Sequence, residues 1–200
     1  DWTFNVREHA KRSPIHAPPV CYISEPLTEQ DVIGLFHQLS ALGVFPGIEV
    51  FATSQTATYD CLVRFNCPAT SPGLTYVSVD DSPLGLSPFV RGEKLNYSTT
   101  VFTLEFKNNL DGLIDELGGD SKKSFRAIDV CVCWGTVSPR FAGYLLTEIT
   151  EANLDQRAVP GTTHLLERDG DVHVVQVIML KTVMDLINKQ VVIFRGVAKG

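Results

Sequence analysis

Thr99-Thr100-Val101-Phe102-Thr103-Leu104-Glu105-Phe106-Lys107 is the stretch on which the fold turns. It is rich in β-branched and aromatic residues, as a strand on a half-buried surface requires. Side chains alternate across a strand, so Glu105 and Lys107 project from one face while Phe106 points from the other into the core. A helix follows at once, beginning near Asn108 and Asn109, with Leu110, Leu113, Ile114 and Leu117 forming its apolar stripe. Gly118-Gly119 ends it. Residues 127–134 are then an apolar run interrupted only by Asp129, the pattern of a central strand buried on both faces.

Upstream, Thr28 reads as a helix N-cap and Asp31 as its box partner. Val32, Leu35, Phe36, Leu39 and Leu42 recur at helical spacing until Gly43 stops the helix. Residues 48–53 form a short strand and 58–65 a second one. On the second, Tyr59, Cys61, Val63 and Phe65 share one face, and Asp60, Leu62 and Arg64 the other. Residues 66–97 are a long insertion rich in Pro, Gly, Ser and Asp, read as a short hairpin over 74–79 and a flap near the site. Residues 1–26 form an irregular lead-in, extended only over 20–23, because the Pro-rich run Pro14 to Pro19 cannot propagate a helix. Downstream lie a strand over 144–151, a hairpin of 162–167 and 171–179 around Arg168-Asp169-Gly170, a helix over 181–188, and a closing strand or tail over 191–200. The result is a single α/β domain over residues 27–190.

Composition narrows the class. With 44% hydrophobic and 20% charged residues the chain has the makings of a packed core. No apolar run approaches the roughly 20 residues of a membrane-spanning helix. The first residue is Asp1, which reads as a piece of a longer polypeptide with other domains. The five cysteines lack zinc-site spacing, and Cys131 and Cys133 alternate on one buried strand face; reduced thiols of this kind suit the cytoplasm. A net charge of −6 is unusual for a chain that grips DNA alone, although a metal-loaded acidic site is less negative than its sequence implies.

Carboxylates brought together on neighbouring strands are what a hard divalent cation needs. Mg²⁺ takes oxygen ligands and keeps several waters, so Asp60, Glu105 and the backbone carbonyl of Phe106 would suffice. The ammonium of Lys107 would orient the attacking water or stabilise charge developing on phosphorus. The order helix, strand, Asp60-bearing strand, Glu-x-Lys strand, helix, buried strand resembles the PD-(D/E)XK nuclease superfamily, over about residues 28–134. Tyr59-Asp60-Cys61-Leu62-Val63 is similar to its second motif and Leu104-Glu105-Phe106-Lys107 to its third; the Pro before the aspartate is missing, and the span between motifs is long. The resemblance implies a restriction-endonuclease-like αβββαβ core, a central mixed sheet flanked by helices, here with an additional C-terminal hairpin and helix. It also implies an active site of Asp60, Glu105, Lys107 and Glu29, Mg²⁺ (or Mn²⁺) as cofactor, and DNA, or else RNA, as substrate. A homodimer is a common state for such enzymes.

The remaining candidates have plainer readings beside the functional one. Glu29 stands in a first helical turn, where the helix dipole favours any carboxylate. Asn108, Lys122 and Lys123 are candidate phosphate contacts, yet a helix start and a solvated loop account for them equally. His164 and His173 would face each other across the late hairpin as a structural pair. The alternative to a nuclease is a non-catalytic interaction module on a nuclease-like fold within a larger protein.

Overall fold

The computed structural model describes residues 12–15, 20–45, 47–54, 58–67, 84–86, 97–119, 122–138 and 140–189. Helix α1 (Glu29–Ala41) begins with a reciprocal capping box: Asp31 N–H donates to Thr28 Oγ1 at 3.3 Å, and Thr28 N–H donates to Asp31 Oδ2 at 3.0 Å. Val32, Leu35, Phe36 and Leu39 are its buried stripe. The chain leaves through Gly43, whose φ of 80° is the left-handed conformation that a Cβ disfavours.

Strands β1 (Ile48–Thr53), β2 (Cys61–Cys67) and β4 (Phe102–Asn109) form an antiparallel set, with the two-residue β3 (Tyr97–Ser98) paired beside β2. After α2 (Leu110–Gly118), β5 (Val130–Gly135) lies parallel to β4. β6 (Tyr144–Glu148), β7 (His164–Arg168) and β8 (Val174–Met179) complete one mixed sheet in the order β1-β2-β4-β5-β8-β7-β6, and α3 (Leu180–Asn188) follows. β8 runs parallel to β5 and antiparallel to β7. The expected C-terminal hairpin joins the main sheet and widens it.

All six residues of β5 are buried, as its unbroken apolar run requires. Val130, Val132 and Trp134 join a core on one face with the buried stripes of α1 and α3. Cys131 and Cys133 join the opposite core, with Leu110 and Leu113 of α2 and with Phe125. Helices thus cover both faces, and the cysteines are small core residues as expected.

Three expectations on the fold need correction. Asp60 is not within a strand: β2 begins at Cys61, and Tyr59 packs with the α2 core, away from Cys61, Val63 and Phe65. The lead-in is not wholly irregular, since Pro14 and Ser24 form an antiparallel bridge, Ile15 is buried, and Tyr22 packs on the α1 side. The described part of the long insertion is not at the carboxylates. Leu84 and Leu86 are buried, Leu84 in the α1 core, and the buried Arg157 donates to Gly85 O at 2.6 Å and Thr162 O at 2.9 Å. The expected hairpin over 74–79 and the closing segment 191–200 lie outside the described residues.

Gly161 sits at this anchor. Its φ is +93°, its N–H donates to Leu84 O at 2.8 Å, and a Cβ there would stand 2.4 Å from the buried Phe45 ring. Gly161→Ala combines backbone strain with overpacking and should cost about 2 kcal/mol or more. A urea unfolding curve checks it, as a lower midpoint at unchanged slope.

Candidate functional site

The β2–β4 ladder ends at the pair Cys61 and Leu104, so the next opposed residues are Asp60 and Glu105. There side chains replace the main-chain ladder. Phe106 N–H donates to Asp60 Oδ2 at 2.8 Å, and Asp60 N–H donates to Glu105 Oε1 at 3.2 Å. Ser54 N–H donates to the Asp60 carbonyl at 2.9 Å, holding Asp60 from the β1 side. In a strand the N–H and C=O of one residue point to the same edge, so the Phe106 carbonyl also faces the Asp60 side, beyond the end of β2.

Glu105 and Lys107 lie on the α2 face, in register with Cys131 and Cys133, while Phe106 packs against Phe36 of α1. Both charged residues are buried, and Glu105 is fully so. Lys107 Nζ stands 3.0 Å from Glu116 Oε1, 3.4 Å from Glu29 Oε2 and 3.9 Å from Glu105 Oε2. Lys123 Nζ binds Glu105 Oε2 at short range and lies 3.1 Å from Glu116 Oε2. Six charged side chains from five segments therefore converge: Glu29 from the first turn of α1, Asp60 before β2, Glu105 and Lys107 from β4, Glu116 from α2, and Lys123 beyond it.

Burial is the main influence on Glu105 and raises its pKa; the Lys123 hydrogen bond opposes this, and Asp60 adds to it. For Lys107 burial favours the neutral amine, but the hydrogen bond to Glu116 and the charge of Glu29 outweigh it, and the pKa is raised. Lys123 is held above the ordinary lysine range: burial works against its charge, and bonds to Glu105 and Glu116 prevail. Both lysines are cations at neutral pH.

Of the residues singled out from sequence, Asp60, Glu105, Lys107 and Glu29 come together. Asn108 Nδ2 donates to Leu27 O at 2.9 Å, which ties β4 to the approach of α1. Lys122 is exposed. Lys123 is not a solvated loop cation but a largely covered partner of Glu105. His164 and His173 do not pair: His164 opposes Val177, its ring contacts Thr163 Oγ1, and the His173 ring contacts Ile128 O at 2.7 Å. Glu116 was missed. The available signal was its position three residues after Leu113, at the flank of the stripe that faces the sheet.

The Lys123 segment is pinned from two directions. Ser124 N–H reaches the Tyr59 hydroxyl at 3.4 Å, next to Asp60. Beyond it, Arg126 Nε lies 3.1 Å from both oxygens of Asp171, and Arg168 Nη2 donates to Asp171 Oδ2 at 2.7 Å. The Asp171 pKa is lowered; desolvation opposes this, and the Arg126, His173 and Arg168 hydrogen bonds overcome it. A depressed carboxylate stabilises the fold above its unfolded pKa and stops doing so as pH falls through the folded value. Asp171→Asn should therefore lower the melting temperature by about 3 °C at pH 7. The gap from the unmutated chain should begin to narrow as pH falls below about 4, and keep narrowing with further acidification, in a thermal melt series.

Asp60, Glu105 and the Phe106 carbonyl would offer a cation oxygen donors only, the chemistry Mg²⁺ prefers, and Mg²⁺ needs few protein ligands because it retains water. The set is thin: among the described residues there is no group of three or more His, Cys, Asp or Glu side chains arranged to hold a metal ion. Nor, among them, is any helix long and apolar enough to cross a membrane. No protein-family model, curated protein or solved structure matches the chain.

Proposed function

We propose that this chain is a Mg²⁺-dependent nuclease domain of the restriction-endonuclease-like, PD-(D/E)XK type, hydrolysing phosphodiester bonds of DNA. The observation that carries the reading is the juncture of Asp60 with Glu105-Phe106-Lys107, made by the Phe106 N–H to Asp60 Oδ2 hydrogen bond at 2.8 Å. The element order around it also supports the reading: one helix, an antiparallel set β1-β2-β4, a crossing helix, and β5 parallel to β4.

Asp60, Glu105 and the Phe106 carbonyl would hold the cation. When bound, such an ion polarises a phosphoryl oxygen and makes water a better nucleophile at neutral pH. The chain's own residues do the rest. Lys107, kept charged by Glu116 and Glu29, orients the attacking water and opposes negative charge growing on the phosphoryl oxygens. Glu29 fixes the Lys107 ammonium from the α1 side at 3.4 Å. Burial of Glu105 keeps bulk water from competing for its carboxylate. With a net charge of −6, much of the phosphate-binding charge would come from other domains or a second copy.

Incubating the purified chain with supercoiled, linear and single-stranded DNA in Mg²⁺, in Mn²⁺ and in EDTA tests this directly. Cleavage in both metals that is abolished by EDTA is the expected result. Cleavage that persists in EDTA, or none in any condition, overturns it.

One observation favours a second reading. The Lys123 ammonium already occupies Glu105 Oε2, so the cluster balances part of its own charge without a metal. On that reading the chain is a non-catalytic interaction module, and its melting temperature would not respond to Mg²⁺ or Mn²⁺.

A further inference from the structure

The cluster holds four carboxylates, Glu29, Asp60, Glu105 and Glu116, against two ammonium groups, Lys107 and Lys123. With every group ionised it carries two excess negative charges, the charge a divalent cation would offset. The two lysines are not equivalent. Lys107 belongs to β4, its position fixed by the pairing with Cys133 in β5, and its closest carboxylate is Glu116. Lys123 comes from the segment after α2, its side chain is 15% exposed, and its ammonium sits directly on Glu105 Oε2. That oxygen belongs to the carboxylate proposed as a metal ligand, and its residue is fully buried.

Resting on the metal-site reading above, we infer that Lys123 is an internal competitor for the cation: its ammonium occupies the Glu105 carboxylate and must leave for a divalent ion to bind. The physical need for such a group is plain. Glu105 and Asp60 are adjacent, burial penalises the charge of Glu105, and without a cation the pair repel. Lys123 supplies such a cation from within the chain. Glu116 supplies the alternative seat, because its Oε2 lies 3.1 Å from Lys123 Nζ, so the ammonium can release Glu105 without becoming unpaired. Lys123 thereby sets the affinity threshold of the site and is a positioning residue for Glu105.

The test uses the full chain and Mn²⁺ or Mg²⁺ alone. Lys123→Gln removes the charge while keeping a hydrogen-bond donor. Calorimetric titration with Mn²⁺ should give a Kd about tenfold or more tighter than that of the unmutated chain, because a charge-assisted hydrogen bond no longer opposes binding. Lys123→Arg, which keeps the charge, should not tighten it. In the unmutated chain, Mg²⁺ titration should shift the Lys123 ¹³Cε resonance saturably; this measurement does not depend on any variant folding. Binding by the unmutated chain with no Lys123 shift, or with unchanged or weaker affinity in Lys123→Gln, overturns the inference and leaves the metal reading standing. No binding by the unmutated chain or by Lys123→Gln overturns both. Binding by Lys123→Gln alone supports the inference in its strongest form.

Discussion

Asp60→Asn is expected to lower Mg²⁺-dependent cleavage by about a thousandfold or more while leaving the fold intact. The substitution separates two roles of one side chain. Structurally, Asp60 accepts the Phe106 N–H at 2.8 Å, and an asparagine carbonyl oxygen accepts the same bond. The Asp60 main-chain bonds to Ser54 and Glu105 are untouched. Chemically, the amide is a poor ligand for a hard cation and carries no charge, so the proposed site loses half of its carboxylate pair. Removing the negative charge also relieves one of the influences that raises the Glu105 pKa, which makes collapse of the fold still less expected. The checks are a plasmid-nicking time course in Mg²⁺ and a circular-dichroism melt, the latter within about 2 °C of the unmutated chain. Cutting at the unmutated rate would remove Asp60 from the proposed chemistry. Unfolding instead would mean that its charge, and not its hydrogen bond, holds the turn before β2.

What the sequence made legible follows from the range of the forces involved. Short periods and local caps were readable: the Thr28–Asp31 box, the α1 stripe, the β4 strand and the unbroken β5 run all appear as expected. The facing of Glu105 and Lys107 was readable because the pleat fixes it within three residues. Asp60 was half readable. Its neighbour across the sheet was foreseen, but it lies just outside the ladder, where side-chain hydrogen bonds substitute for main-chain ones. Glu116 was not named at all and Lys123 only as a candidate phosphate contact, because what places them is packing of α2 on the sheet and the Asp171 anchor with Arg126, 45 residues away in sequence. Polar residues near an apolar stripe look solvated until their buried partners are known. The His164 and His173 pairing failed for a related reason: register put Val177 opposite His164, and the hairpin connection ran longer than the Arg168-Asp169-Gly170 turn implied.

Lys107→Met should have the largest effect on stability, and its pH profile identifies the cause. The lysine side chain is 8% exposed and contacts Glu116, Glu29 and Glu105. Methionine fills most of the volume but leaves those carboxylates short of a cation. Breaking a buried pair in this way costs about 3–5 kcal/mol, and about 3 is expected because Glu29 and Glu116 are partly exposed. That is a large share of the roughly 5–15 kcal/mol of a typical domain. The Glu116 pKa is lowered in the fold; burial opposes this, and the hydrogen bonds from Lys107 and then Lys123 outweigh it. Its stabilising contribution therefore exists above its unfolded pKa and is lost as pH falls through the folded value. The raised pKa of Lys107 acts at the other end: its contribution is complete below its unfolded pKa and is lost as pH rises through the folded one. The difference between the two chains should thus be flat from about pH 5 to 10 and shrink on both sides. Urea unfolding at pH 4, 7.5 and 10.5 measures it. A difference that ignores pH would assign the loss to packing alone. If Lys107→Met cleaves DNA in Mg²⁺ at the unmutated rate, the ammonium is structural and has no part in the proposed chemistry.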